Sequence, residues 1–219
     1  MVLLGRDLGK TERVAQDLRV RSAQSVIAVE TTDFLDPGKI REWVDQVCAT
    51  GVPDIVLIAH GSLPDQKECQ HNLQENQQVL QLNGVSPVLF AEAFALHMEL
   101  ADKGTLAIIG SVAGDRGRKS NYVYGAAKGL VARYAQGLQH RLASTHVRVV
   151  LIKPGPTDTP MTAALKGKGP KLAEVTAVAW SIVQGIAKAK SVVYAPAKWV
   201  LIMMVIRHLP RFIFNKMDI

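Results

Sequence analysis

A tyrosine and a lysine four residues apart are the first residues in this sequence whose types suggest chemistry. Tyr124 and Lys128 stand in "YVYGAAKG", and residues at this spacing share one face of a helix. A free phenol has a pKa of about 10, and a neighbouring ammonium group lowers that pKa by stabilising the phenolate. Such a pair could pass a proton to or from an oxygen atom. An ordinary surface pair has the same spacing. Other residues must therefore show whether Tyr124 and Lys128 form a reaction centre.

The order of apolar segments predicts the elements that would position this pair. Strands are expected at residues 2–4, 25–30, 54–61, 105–111, 146–155 and 191–195. Helices are expected between them, at about 10–20, 37–51, 71–102, 122–144 and 174–189. Strands that alternate with helices favour a doubly wound α/β fold, a parallel sheet covered by helices on both faces. The near-continuous apolar strands agree with burial on both sides.

Polar and glycine residues follow the predicted strands at their carboxyl ends, where ligands bind in this architecture. These residues are Arg6, Glu30, Ala59, His60, Gly61, Ser111, Pro154, Gly155, Thr157 and Thr159. Asn83 lies inside the long predicted helix and precedes Gly84, so it could also disturb or kink that helix. Ser111 could be a turn or cap residue, Arg6 a solvated charge and His60 a satisfied loop histidine.

The composition of the chain limits the kinds of ligand and macromolecule that it is expected to bind. The chain of 219 residues suits one domain, and its two cysteines and six histidines show no metal-ligand spacing. We therefore expect reduced thiols and no metal. Residues 153–219 hold ten Lys or Arg against three acids, which accounts for the whole net charge of +7. Because aromatic residues are few and not interleaved with the basic ones, we expect no nucleic-acid partner.

Four sequence motifs together resemble the short-chain dehydrogenase/reductase family, over residues 2 to about 195. "YGAAK" is similar to the family's Tyr-x-x-x-Lys motif, and "IIGSVAGDRG" places Ser111 thirteen residues before Tyr124. "LNGVSP" supplies Asn83, and "KPGPTDTPM" is similar to the segment that contacts the nicotinamide carboxamide. The resemblance implies a Rossmann-like fold in three α/β/α layers.

The resemblance also implies a reaction and assigns roles to these residues. It indicates hydride transfer between a nicotinamide cofactor and a carbonyl or secondary alcohol carbon. Tyr124 would be the acid/base, Lys128 would bind the nicotinamide ribose and tune Tyr124, and Ser111 would orient the substrate oxygen. Asn83 would continue a proton relay through water.

The cofactor expected from the resemblance is NADP(H) in preference to NAD(H). "GRD" after the first strand is similar to members that use the phosphorylated cofactor, where Arg6 can meet the 2′-phosphate. Glu30 stands where an Asp usually contacts adenine. "IAHG" replaces the usual Asn-Ala-Gly, so Ala59 loses a side-chain hydrogen bond and His60 takes the alanine's place.

The largest departure from the family is the lack of its first strand and glycine-rich turn, which would cradle the pyrophosphate. Because that strand is central in the sheet, we expect an incomplete product or a gap filled by rearrangement or another chain. A catalytically impaired binding or scaffold protein of the same fold is the alternative function. We expect a domain at residues 1–197 and a basic amphipathic tail at 198–219.

The tail, "KWVLIMMVIRHLPRFIFNKMDI", is too short and too charged to span a bilayer. It could pack on the domain, pack across a dimer, or lie in a membrane interface. It is similar to the tail of reductases acting on polyprenyl-phosphate-linked keto-pentoses, which implies a lipid-linked or hydrophobic substrate. The remaining expectations are a homo-oligomer, dimer or tetramer, and a cytoplasmic location, peripheral at the inner face of the membrane if the tail binds lipid.

Overall fold

The computed structural model describes residues 1–167 and 171–217, so Lys168 of the basic set and Asp218 and Ile219 of the predicted tail lie outside the described residues. The strands are β1 (Val2–Gly5), β2 (Ala28–Thr31), β3 (Ile55–Ile58), β4 (Thr105–Ile109), β5 (Arg148–Pro154) and β6 (Val192–Ala195). The helices are α1 (Leu8–Arg21), α2 (Pro37–Ala49), α3 (Gln66–His71), α4 (Leu73–Leu80), α5 (Ser86–Ala101), α6 (Tyr122–Arg141), α7 (Val175–Ala187), α8 (Trp199–His208) and α9 (Arg211–Phe214).

The strands form two separate parallel sheets. β1 pairs with β2, while β3, β4, β5 and β6 pair in that order. Within the described residues no strand lies between β1 and β3, which is the gap predicted from the sequence. Alternate β3 side chains are bare: Ile55 is 58% exposed and Leu57 is 51% exposed. An apolar strand with one open edge and one uncovered face is unusual for a parallel sheet.

Helices pack on both faces of the four-stranded sheet, although one face of β3 stays uncovered. On one face, Val56, Ile58, Leu106 and Ile108 share a large core with residues of α2, α5 and α6. On the other face, a smaller core of Ala107, Val150, Ile152 and Val193 packs against α7. This arrangement confirms the three-layer α/β/α fold, and it directs the carboxyl ends of β3, β4 and β5 toward the same edge.

The long helix predicted at residues 71–102 is interrupted. α4 and α5 are joined by one turn of π-helix, Gln81–Val85, and the separate helix α3 precedes them. The widened turn contains Asn83 and Gly84, the pair for which a disturbed or kinked helix was one of the alternatives left open by the sequence. The side-chain amide of Asn83 donates to the carbonyl of Val79 at 3.1 Å, which holds this buried side chain against the turn before it.

By length and composition, one helical stretch of the described residues, Leu73–Ala101, could cross a membrane. However, 61% of its apolar window is buried inside the domain. That burial is what the core helix of such a sheet requires, and it explains the apolar composition without a bilayer.

The second predicted strand is shorter than expected at its start. Ser25 donates its backbone N–H to the carbonyl of Ser22, and the two serine hydroxyls lie 2.7 Å apart. This local turn takes the backbone groups that a strand from residue 25 would have used, so β2 begins at Ala28.

Glycines allow the loop after β4 to lie directly on helix α6. A Cβ atom on Gly114 would stand 2.6 Å from the carbonyl carbon of Lys128 and 2.8 Å from the backbone nitrogen of Gly129. Gly84 approaches the same helix at Ala127, where an added Cβ would meet the Ala127 Cα at 3.2 Å. These close approaches set the distance between α6 and the loop that carries Ser111.

We predict that Gly114→Ala destabilises the protein by about 1–3 kcal/mol, because the new methyl group meets backbone that cannot move aside. The matched control is Gly117→Ala in the same loop, where an added Cβ meets nothing within 4 Å. Urea unfolding of both variants measures the difference. Equal stability of the two variants would show that the contact between the loop and α6 is loose.

Candidate active site

A cavity of about 500 Å³ opens at the carboxyl ends of β3, β4 and β5. It brings together most of the residues singled out from the sequence. Those that line it are Ala59, His60, Gly61, Asn83, Ser111, Tyr124, Lys128, Pro154, Gly155, Thr157 and Thr159. Arg6 and Glu30 are not among its lining residues.

Ser111 and Tyr124 face each other across the contact between the β4 loop and α6. The Ser111 hydroxyl accepts the backbone N–H of Ala113 at 3.1 Å, which starts a short 3₁₀ turn and fixes the side chain at the cavity wall. Tyr124 lies in the first turn of α6. Burial raises the pKa of the Tyr124 phenol, and the hydrogen bond with Ser111 opposes that rise.

The expected lowering of the Tyr124 pKa by Lys128 is not seen in this structure. The lysine ammonium lies 5.9 Å from the centre of the tyrosine ring, and it donates to the carbonyl of Ile109 at 2.9 Å. Sequence spacing placed both residues on one helical face, but the lysine side chain turns toward β4. The pKa expectation was therefore wrong for the protein alone, where burial dominates.

Lys128 is the most constrained charge in the cavity. Its residue surface is only 3% exposed, and burial lowers its pKa from the ordinary 10.5 to about 8. Ile109 supplies its hydrogen-bonded acceptor at the end of β4. A buried ammonium with one carbonyl partner retains two further donors, which can hold a hydroxyl or another oxygen ligand.

Asn83 holds the loop after β3 in place. Its side-chain oxygen accepts the backbone N–H of Ser62 at 2.7 Å, and the residue is fully buried. A Cβ atom on Gly61 would stand 2.6 Å from that oxygen and 3.7 Å from the Lys128 ammonium. Glycine at position 61 is therefore what lets the β3 loop approach both residues.

The side chain of His60 already has a hydrogen-bond partner. Its Nε2 lies 2.9 Å from the Ser86 hydroxyl, and its ring contacts the rings of Phe34 and Phe90 edge-on. Burial, followed by the charges of Lys128 and Arg6, lowers the His60 pKa to about 3. The imidazole is thus neutral at physiological pH and serves as a polar wall of the cavity.

The segment after β5 forms the opposite wall. Thr157 donates its hydroxyl to the Gly155 carbonyl at 2.9 Å, while the Thr159 backbone N–H donates to the hydroxyl of Thr162. A Cβ on Gly155 would overlap the indole nitrogen of Trp199, at 1.8 Å. Helix α8 of the predicted tail thus packs directly on this wall, as one of the sequence alternatives proposed.

Arg6 and Glu30 do not line the cavity. Arg6 is exposed just beyond β1, although its charge is close enough to lower the pKa of His60. The Glu30 carboxylate accepts the indole N–H of Trp43 at 2.5 Å, so part of its hydrogen-bonding capacity is already used.

Sequence reasoning missed a buried polar network behind the cavity. Lys153 pairs with Asp115 at 2.5 Å, their side chains are only 6% and 4% exposed, and Tyr194 donates its hydroxyl to the same carboxylate at 2.8 Å. The adjacent Arg116 donates to the carbonyls of Ile206 and Leu209 in and after α8. The signal available was a lysine inside an apolar strand, "VVLIKPG", which requires a buried partner.

Arg118 and Asn121 are two further cavity residues that the sequence analysis did not single out. They stand in the loop between Ser111 and Tyr124, three residues apart. A charge in the middle of a polar loop, "GDRGRKSN", carries no sequence signal of burial.

The residues present fit the nicotinamide end of a dinucleotide. A buried cation, a glycine-lined approach at Gly61 and a mostly apolar wall meet at Lys128 and Ser111. They do not supply a pyrophosphate cradle: within the described residues no glycine-rich turn at a helix N-terminus borders the cavity. At α1, the Asp7 carboxylate already accepts the backbone N–H of Lys10.

Comparison with known proteins agrees with this geometry. The sequence profile of the short chain dehydrogenase family matches residues 1–169. An uncharacterized oxidoreductase of Mycobacterium tuberculosis (strain H37Rv) is 31% identical, and the alignment covers 99% of this chain and 87% of that protein. An uncharacterized oxidoreductase of Streptomyces coelicolor is 28% identical, with 98% and 84% covered. The chain therefore belongs to the short-chain dehydrogenase family, and it is an oxidoreductase of that nicotinamide-dependent class.

Solved structures show the same fold at lower sequence identity. A short-chain dehydrogenase from Sphingobium yanoikuyae, in complex with NADPH, superimposes with a TM-score of 0.79 at 20% identity over 96% of this chain and 86% of that one. A short-chain dehydrogenase/reductase from Mycobacterium ulcerans gives 0.80 at 20% identity, with 99% and 88% covered. These likenesses establish the fold.

We predict that the stability of the protein relative to Lys128→Met rises as pH increases from 8 to 10.5. The folded pKa of Lys128, about 8, lies below its ordinary value, so the unfolded chain binds more protons in this window. Below pH 8 the buried ammonium costs on the order of 3 kcal/mol, and the cost disappears as the lysine loses its proton.

Urea unfolding at several pH values measures this difference. Lys103→Met is the control, because Lys103 has a side chain that is 55% exposed. A parallel pH dependence for the unaltered protein and Lys128→Met would show that the ammonium is solvated.

Proposed function

We propose that the protein interconverts a carbonyl and a secondary alcohol, with Tyr124 as the acid/base. The observation that carries this proposal is the meeting of Ser111, from the loop after β4, with Tyr124 and Lys128 of α6 in one cavity. A nicotinamide cofactor supplies or accepts the hydride at the reacting carbon when it is bound. The protein residues bind the substrate oxygen and handle its proton.

In the reductive direction, Tyr124 would donate its phenolic proton to the substrate oxygen. The Ser111 hydroxyl, fixed by Ala113, would hold that oxygen beside the phenol. Burial favours the protonated phenol, which is the form that acts as an acid. Lys128 would bind the nicotinamide ribose through its remaining donors, and Asn83 would extend the proton path toward solvent through water.

The proposed cofactor preference is NADP(H) over NAD(H). Arg6 supports it, since its exposed guanidinium group directly follows β1, whereas the adjacent acid, Asp7, already caps α1. Glu30 is a weaker candidate for an adenine contact, because Trp43 already binds its carboxylate.

The gap between β1 and β3 bears on whether this exact chain is active. The open β3 edge, with Ile55 and Leu57 exposed, supports the proposal that a further strand fills it, from a longer product or another chain. Without that strand and its turn, the second candidate is a binding or scaffold protein of the same fold. The missing pyrophosphate cradle favours it for this chain.

Titration with NADPH, followed by nicotinamide fluorescence, separates the two candidates. We expect saturable binding by a chain extended with an apolar strand and a glycine-rich turn, and weaker binding by the 219-residue chain. Tyr124→Phe in the extended chain should retain binding and lose carbonyl reduction by at least about a hundredfold, because it removes the proton donor.

Tyr122→Phe is the matched control on the same helix, since Tyr122 is exposed and does not line the cavity. Absence of nicotinamide binding even by the extended chain would rule out the enzyme proposal. Tighter binding of NADH than NADPH would contradict only the role of Arg6.

The C-terminal helices support a proposal that the substrate is lipid-linked or hydrophobic and that the protein binds membranes peripherally. α8 presents Leu201, Met204 and Val205 to solvent, each more than half exposed, and Phe212 of α9 is 71% exposed. Basic side chains accompany this surface at the ends of α8 and α9, including Arg207 and Arg211. Exposed apolar side chains flanked by cations suit the headgroup region of an anionic bilayer. The proposed location is cytoplasmic, at the inner face of the membrane.

We predict that Leu201→Gln/Val205→Gln abolishes co-sedimentation with phosphatidylglycerol vesicles. These two side chains are 65% and 57% exposed, so their loss should leave the inner contacts of α8 intact. Leu100→Gln, on the distant and 79% exposed end of α5, is the control. Unchanged sedimentation of the double variant would favour helix packing as the only role of the tail.

A homo-oligomer, dimer or tetramer, is proposed through α5 and α6. A surface groove of about 510 Å³ runs along these helices, and Leu130 in it is 41% exposed.

We further propose a division into a short-chain dehydrogenase domain, residues 1–197, and the tail, residues 198–219. Within the described part of the tail, Trp199 packs against Gly155 and Ile206 accepts a hydrogen bond from Arg116, so the tail contacts the domain.

A further inference from the structure

Arg118 is a charged side chain that lines the candidate active site without a partner for its inner nitrogen. Its Nε–H group is buried and donates to no acceptor within the described residues. Burial lowers the pKa of Arg118, and no nearby acid opposes that effect. Arg118 as a whole is half-buried. A guanidinium group that is partly withdrawn from water normally pairs with a carboxylate, because leaving it unpaired costs free energy.

The cavity around Arg118 has no negative charge of its own. Among the described residues that line it, none is acidic, whereas Arg118 and Lys128 are both cationic. Lys128 has its Ile109 acceptor and is assigned to the cofactor side. Among the described residues that line the cavity, Arg118 is therefore the cation without an assigned partner.

A second unpartnered atom lies close to Arg118 along the chain. The side-chain oxygen of Asn121 is buried without a donor, although the Asn121 backbone N–H donates to the Arg118 carbonyl at 3.1 Å. Asn121 occupies the residue before α6, yet its side chain does not cap the helix. An unpaired donor and an unpaired acceptor on one wall indicate that a polar ligand completes both.

The outer wall of the same cavity is apolar. Its residues include Met161, Leu165, Val175, Val178 and Ile182, from the segment after β5 and from α7. The substrate volume is thus bounded by an apolar wall, by the proton-transfer residues Ser111 and Tyr124, and by the cationic loop that connects them. A ligand that matches it has a carbonyl, an apolar portion and an anionic group.

We propose that Arg118 is a specificity-determining residue that binds an anionic oxygen group, carboxylate or phosphate, on the substrate whose carbonyl meets Ser111 and Tyr124. This inference rests on the proposed function and adds the substrate class to it. The guanidinium fork can bind either anion through two hydrogen bonds, and the anion supplies the charge that the cavity lacks. The oxygen of Asn121 accepts from a hydroxyl group beside that anion.

Isothermal titration with three related ketones tests the assignment on the 219-residue chain. The probes are 6-oxoheptanoate, its uncharged methyl ester and 6-oxoheptyl phosphate, which share a methyl ketone and an apolar spacer. We expect both anions to bind at least about tenfold more tightly than the ester, since a hydrogen bond to a charged group contributes that much. The ratio of the two anion affinities identifies the preferred group.

Arg118→Met should bind the two anions and the ester with equal affinity. Arg118→Lys should retain part of the preference for the anions. Arg41→Met is the matched control, because Arg41 is an exposed arginine of α2 that lies 3.9 Å from Asp45. The thermal unfolding midpoint of Arg118→Met should stay the same or rise, because the substitution removes a partly buried charge that has no acidic partner.

Equal affinity of the unaltered chain for the ester and both anions would overturn the assignment, and so would a preference that survives in Arg118→Met. Absence of binding by all three probes would overturn it as well. Because binding is measured without turnover, anion binding by a chain that reduces no ketone would count against the proposed function alone. Reduction of the ester as efficiently as the acid by the extended chain would count against Arg118 alone.

Discussion

The buried ammonium group of Lys128 is the constraint on which the rest of the site depends. An unsolvated charge is tolerated only where acceptors surround it, and here the carbonyl at the end of β4 provides one. That contact requires α6 to lie close to the sheet edge. The close approach is possible because Gly114 and Gly84 carry no side chains that would push the helix away. Tyr124, one turn earlier on α6, is thereby brought to Ser111.

A second framework supports the loop that follows Ser111 from behind. Asp115 accepts from Lys153 of β5 and Tyr194 of β6, so one carboxylate joins the loop to two strands. Such a buried pair is strongly destabilising to break but adds little net stability by itself. Its effect is to hold the loop in one place. Arg116 joins the same loop to the C-terminal helices through its hydrogen bonds to the carbonyls of Ile206 and Leu209. The tail therefore supports the walls of the site and also forms part of the protein surface.

The charges of the cavity are arranged asymmetrically. The cationic groups line it, His60 is kept neutral, and the paired carboxylate of Asp115 lies behind the wall. A low-dielectric pocket with this balance attracts anionic ligands and favours oxygen groups that carry negative charge. The phosphates of a dinucleotide and the anion proposed for the substrate would both benefit from it.

The sequence by itself determined the order of elements, the fold class and the family, because apolar periodicity and motif spacing are local properties of the chain. It also predicted the gap between β1 and β3, and it offered a disturbed helix at Asn83 as one alternative. Other features were decided only by the tertiary structure. The direction of the Lys128 side chain, the burial of Asp115 with Lys153 and the unpaired Arg118 depend on which distant segments meet. A pKa or a missing partner is set by solvent exclusion, and exclusion exists only once the sheet, α6 and the loops have packed together.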